Sequence, residues 1–178
     1  GGGGAGGQGG GCTIKDVMLD PGFECKFLDV CPQAWEEQST GQNDVICTIT
    51  DCGDPGAIAF DGSAFAWFGG ELGNLTASVS QTIVFPEDAM NIELQLNAPS
   101  CDTDSPGTLS LRVDSDELFS ADVADYPACN SNVWVQQTLD ATAYADGSEH
   151  VITIEATTAA DGAVTSFLVD SVGLIVCE

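Results

Sequence analysis

The stretch Val151-Ile152-Thr153-Ile154-Glu155 carries the fold assignment in miniature. Ile152 and Ile154 fall on one side of an extended chain and Thr153 and Glu155 on the other, which is the two-residue period of a strand buried on one face. Working outward, this run belongs to a candidate strand at 150–156. Similar short runs, rich in β-branched and aromatic residues, recur at 45–50, 63–68, 77–85, 91–96, 109–114, 133–139 and 165–176. Turn-forming pairs and triplets divide them: Asp61-Gly62, Ser105-Pro106-Gly107, Asp146-Gly147 and Asp161-Gly162. No segment sustains a helical period and no internal repeat is present. The pattern predicts an all-β domain, a β-sandwich of two antiparallel sheets.

Composition sets the bounds around that core. The chain has 178 residues, 43% of them apolar, enough for one domain with a hydrophobic interior. Residues 1–11 are glycine except for Ala5 and Gln8, which reads as a tail or tether ahead of a domain at 12–178. Three basic residues (Lys15, Lys26, Arg112) face 28 acidic ones, for a net charge of -25. Such a surface repels phosphate backbones and anionic lipid, so nucleic acid is not an expected partner. No apolar stretch is long enough to enter and span a bilayer. Divalent cations, by contrast, would be attracted.

Eight cysteines (Cys12, Cys25, Cys31, Cys47, Cys52, Cys101, Cys129, Cys177) run from end to end. The closest pair, Cys47 and Cys52, lacks the C-x-x-C spacing of a zinc site, and His150 is the sole histidine. Disulfides fit better and imply an oxidising compartment, so the expected location is secreted or cell surface. Eight cysteines allow 105 pairings, so spacing alone leaves the connectivity open. The chain opens on Gly1 without a methionine, as expected of a processed product.

Three ordered segments resemble a known superfamily. Leu19-Asp20-Pro21-Gly22-Phe23-Glu24 is similar to the opening motif of jelly-roll carbohydrate-binding modules and related adhesive extracellular domains. Ala66-Trp67-Phe68-Gly69-Gly70 with Ser80-Gln81-Thr82-Ile83 resembles their central strand pair, and Ser166-Phe167-Leu168-Val169-Asp170-Ser171-Val172 their closing strand. The resemblance implies a jelly-roll sandwich whose first and last strands are neighbours. It also implies a structural Ca2+ near Asp20, Glu24 and Asp170, although Asp20 replaces the family's usual Asn and Ser171 replaces a second Asp. With terminal strands adjacent, Cys12 and Cys177 would meet. Cys101 and Cys129, flanking the strand at 109–114 and its return, would tie two loops, and Cys25, Cys31, Cys47 and Cys52 would pair locally.

Catalytic signatures are missing. His150 heads an alternating strand with no evident nucleophile, and neither a G-x-S-x-G elbow nor a phosphate loop occurs. The expectation is a non-catalytic protein. One reading is a self-assembling structural subunit of a surface filament or matrix, its glycine tail contacting a neighbour by strand addition. The alternative is a carbohydrate-binding or adhesive module that takes polysaccharide on surface aromatics. For that role Trp35 and Tyr126 are the surface candidates, whereas Trp67 and Trp134 sit in apolar strand patterns and read as core.

Overall fold

Alternation along the strands builds two layers. The computed structural model describes residues 12–177 apart from 16, 29, 30, 43, 72, 103–106 and 160–163, with only the backbone of 12–15. The first sheet runs β3 (Ile46–Thr48), β4 (Ala64–Gly69), β11 (Ser166–Cys177), β6 (Ala89–Ser100) and β9 (Val135–Asp140), and β1 (Cys12–Lys15) also pairs with β11. The second runs β2 (Glu36–Ser39), β5 (Leu75–Val84), β10 (Glu149–Thr158), β7 (Gly107–Val113) and β8 (Asp116–Asp122). Every pairing is antiparallel. This is a jelly-roll β-sandwich.

The core lies between the layers. Ile152 and Ile154 of β10, Val79 of β5 and Leu109, Leu111 and Val113 of β7 meet Ile92, Leu94 and Leu96 of β6 and Phe167 and Val169 of β11. All are completely buried, and each such side chain contributes roughly 1.5–3 kcal/mol of transfer free energy. Of the outward residues of β10, Thr153 and Glu155 are the polar pair read from the sequence, and Val151 beside them is exposed.

Three strands escaped that reading: β1, β2 and β8. β2 (Glu-Glu-Gln-Ser) and β8 carry too much charge to look buried, and both are edge strands, where a polar side costs nothing. β8 follows β7 through the two-residue turn Asp114-Ser115, and Asp114 takes a left-handed φ of 55°, the hand that tight hairpin turns demand. The run at 45–50 divides: its first part is β3, and Ile49–Cys52 turns into a single helical turn, α1, capped by the Thr48 side chain accepting from Asp51 N–H.

Disulfides join Cys25 to Cys31, Cys47 to Cys52 and Cys101 to Cys129. Cys177 is also disulfide-bonded, and strand register sets its Cα opposite that of Cys12, whose side chain lies outside the described residues. The glycine tail at 1–11 lies outside them too.

Candidate functional site

The site grows from a fault in one strand. The first half of β11 pairs with β4 and the second half with β1, and the register against β6 slips between Asp170 and Gly173. At the slip Ser171 is left-handed (φ 51°) and Val172 N–H donates to Pro21 O at 2.9 Å. The opening and closing motifs of the sequence therefore meet here.

Asp170 is completely buried, facing away from the main core. Its Oδ2 accepts from the Phe60 and Asp61 N–H groups at 2.9 and 3.1 Å, and its Oδ1 from Ser171 N–H at 2.6 Å. Glu24 works in the same way: Oε1 accepts from Ser63 and Ala64 N–H at 2.6 and 2.7 Å, and Oε2 from the Ser63 hydroxyl at 2.9 Å. The two carboxylates thus hold the backbone at 60–64. Gly62 is required there, because its φ is +62° and a Cβ would come within 2.3 Å of Glu24 Oε1. Burial pushes the Asp170 carboxyl up to about 6; its three backbone N–H partners oppose this and the charge of Glu24 adds to it. Asp20, also raised by burial, accepts from Cys25 N–H at 3.1 Å. Among the described residues no group of three or more His, Cys, Asp or Glu side chains forms a ready metal cage.

The backbone that these carboxylates hold crosses the outer face of the first sheet. β4 is apolar on both sides: Ala64, Ala66 and Phe68 enter the main core, while Phe65 and Trp67 point the other way, toward Leu168, Cys47 and Ala57. Segment 49–63 roofs this second cluster. It is tied at its start by Cys47–Cys52 and at its end by Asp170 and Glu24.

A pocket opens on each side of α1. One, of about 300 Å³, is lined by Gln42, Asp44, Asp51, Trp67, Gly70 and Glu71. Gly70 (φ +80°) lies flat against the indole, where a Cβ would stand 2.5 Å from Trp67 Cζ2. The other, of about 520 Å³, is lined by Ile49, Asp54, Ile58, Phe60, Asn132 and Trp134. There Phe60 meets Trp134 edge-on at 6.0 Å, and Trp134 Nε1–H donates to Ile58 O at 3.2 Å. Ile58 and Phe60 are 73% and 50% exposed, an apolar display of the kind that marks interaction surfaces.

The aromatic expectations need correcting. Trp35 is 2% exposed; its ring packs 5.1 Å from that of Phe23 and its Nε1–H donates to Asp20 O at 2.9 Å, so it belongs to the core. Trp67 and Trp134, expected in the core, line the pockets. Tyr126 is half-buried, its hydroxyl pushed up to about 12 by burial, and it lines a cleft of about 350 Å³ with Phe119, Pro127 and Gln137.

His150 has both ring nitrogens engaged, Nδ1 with Asp114 at 2.7 Å and Nε2 with Asp146 at 3.2 Å. Its ring stands between those of Phe85 and Tyr144. The Asp114 contact above all raises its pKa. With neither nitrogen open to a substrate, the ring is a structural link.

The chain matches no protein-family model, and no curated protein sequence matches it. Solved structures do resemble it. The carbohydrate-binding module TmCBM61, solved in complex with beta-1,4-galactotriose, superposes with a TM-score of 0.60 at 13% identity, covering 92% of this chain and 99% of its own. A cyclase from Fischerella sp. TAU gives 0.55 at 14% identity, covering 93% and 97%. The K1 cleaved adhesin domain of Lys-gingipain from Porphyromonas gingivalis W83 gives 0.54 at 12% identity, covering 93% and 98%. At these identities the likeness is one of fold: the chain has the jelly-roll sandwich seen in carbohydrate-binding modules and adhesin domains.

Proposed function

We propose that this chain is a carbohydrate-binding or adhesive module acting outside the cell, with its ligand in the Trp67 pocket. The observation that carries the reading is an indole-walled pocket with a polar rim, set on a sheet face whose roof is cross-linked and pinned. Pyranose rings offer apolar C–H faces to an indole and hydroxyls to carboxylates and amides, so this lining suits a sugar. The likenesses to a carbohydrate-binding module and an adhesin domain support the same reading, and the described disulfides support an extracellular setting. The filament reading rests on the tail at 1–11, and no observation among the described residues favours it.

The test is retention of soluble polysaccharides, a β-1,4-galactan among them, in affinity electrophoresis. Trp67→Ala, shown folded by circular dichroism, weakens binding about tenfold or more, as loss of a central aromatic anchor does. If no glycan is retained, or if Trp67→Ala binds as well as the parent, the reading falls. Phe60→Ala serves as the comparison in the neighbouring pocket.

We further propose that Ca2+ binds near Asp20, Glu24 and Asp170. Burial raises the Asp20 and Asp170 carboxyls and the charge of Glu24 adds to both, and hard oxygen donors of this kind suit that ion. Bound there, the ion would offset the mutual repulsion of these carboxylates and tighten the roof. Adding Ca2+ to chelator-treated protein raises Tm, and an unchanged Tm removes the ion from the account.

A further inference from the structure

The lining of the Trp67 pocket is electrically one-sided. Asp44, Asp51 and Glu71 bring carboxylates to it, and no Lys, Arg or His among the described residues lines it. Gln42 has a side-chain amide, but that amide is already used: Nε2–H donates to Gly69 O at 2.7 Å and Trp67 O at 3.4 Å, and Oε1 accepts from Gly69 N–H at 3.3 Å. Asp51 is held in place by the Thr48 hydroxyl, which donates to Oδ2 at 2.5 Å. A ligand entering this pocket meets acceptors and must bring the donors itself.

Among the described residues, the remaining Lys and Arg side chains offer an acidic ligand no compensation. Lys26 Nζ is held by Glu37 at 2.8 Å and Asp44 at 2.7 Å. Arg112 is held by Glu155 at 3.3 Å and Glu117 at 3.7 Å. A uronate or sulfated sugar would bring its charge against Asp51 and Glu71, with Asp44 already paired to Lys26, in a chain of net charge -25. A protonated amine meets the opposite situation. It makes charge-assisted hydrogen bonds to the rim, gains from the indole face by cation–π attraction, and is drawn in by the field of the whole protein. The indole wall and the acid rim, two separate features, thus favour the same chemistry.

We infer that the pocket takes a glycan bearing protonated amines, a 2-amino-2-deoxy sugar oligomer, in preference to its N-acetylated or acidic counterparts. The inference rests on the glycan reading above and adds the ligand's charge to it.

The experiment is titration calorimetry with three probes at a pH where the amine is charged: glucosamine oligomers, the same oligomers N-acetylated, and galacturonate oligomers. The expected result is binding of the amine form roughly tenfold or more above the acetylated form at low salt, with no binding of galacturonate. Asp51→Asn combined with Glu71→Gln abolishes the preference. Asp122→Asn with Asp125→Asn, in the distant Tyr126 cleft, leaves it intact. Equal affinity for the amine and acetylated forms overturns the charge assignment while the glycan reading stands; failure of every oligomer to bind overturns the charge assignment, and the glycan reading falls with it only if the polysaccharides of the first test are not retained either. A preference that survives loss of Asp51 and Glu71, or that falls equally in the Asp122/Asp125 pair, assigns the attraction to diffuse surface charge and overturns the site.

Discussion

The two sheets share a core, but their outer faces differ. On the second sheet, Thr76 and Thr82 of β5 and Thr153 and Glu155 of β10 face outward, and Arg112 of β7 is ion-paired with Glu155 there. On the first sheet the corresponding face carries Phe65 and Leu168, both completely buried beneath segment 49–63. A polar back face needs only water, whereas an apolar back face needs a roof, and two pockets open at the edges of that roof. The difference accounts for the two pockets beside α1 on the first sheet.

The comparison breaks most sharply at Phe65. If the roofed face is a genuine second core, Phe65→Ala costs about 3–5 kcal/mol, as a buried phenylalanine does. Thr153→Ala on the bare face stays within about 0.5 kcal/mol. Equal values in urea unfolding would erase the distinction.

Next in size is the tie at the start of the roof. Replacing Cys47 and Cys52 together by serine costs about 2 kcal/mol for so short a loop. The same change speeds proteolysis within 53–63 while leaving cleavage elsewhere unaltered, which limited digestion followed by mass spectrometry reads directly.

The smallest effect lies at the polar end of the second sheet. The Asp114 contact and then Asp146 raise His150, so its contribution is complete below its ordinary 6.5 and fades as pH climbs through the raised value. Asp114, lowered chiefly by His150, and Asp146, lowered chiefly by Ser148 N–H, contribute above 3.8 and lose that contribution as pH falls through their depressed values. The difference in Tm between the parent and His150→Gln is therefore greatest between pH 3.8 and 6.5 and narrows on either side. A difference that does not vary with pH would show the ring to act by packing alone.

How much of this was legible follows from the same contrast. β10 could be read residue by residue because one of its faces is wet, so its alternation survives in the sequence. The ordered motifs implied that the opening and closing segments would be neighbours, and they meet at Pro21 and Val172; that Glu24 and Asp170 hold backbone could not be read, because backbone leaves no mark in a sequence. Trp35 looked exposed because Glu36 and Glu37 follow it; those acids belong to an edge strand, while the indole turns inward onto Phe23. A signal for the pocket did exist. Ala-Phe-Ala-Trp-Phe-Gly in β4 is apolar at every position, and a strand without alternation is covered on both sides. What covers it could not be read, since segment 49–63 has no period and owes its course to a disulfide and two distant carboxylates.

Those attachments also make part of the molecule replaceable. Between Cys52 and Phe60 the roof is fastened at either end by a cross-link and by main-chain N–H groups, and the identity of the intervening side chains does not enter those fastenings. The exposed side chains of Asp54 and Ile58 are thus the replaceable part, while Ala57 stays as the roof of the second cluster. A library that varies these two positions on an unchanged sandwich would display new surfaces beside Trp134, much as a binding loop is varied on a rigid frame.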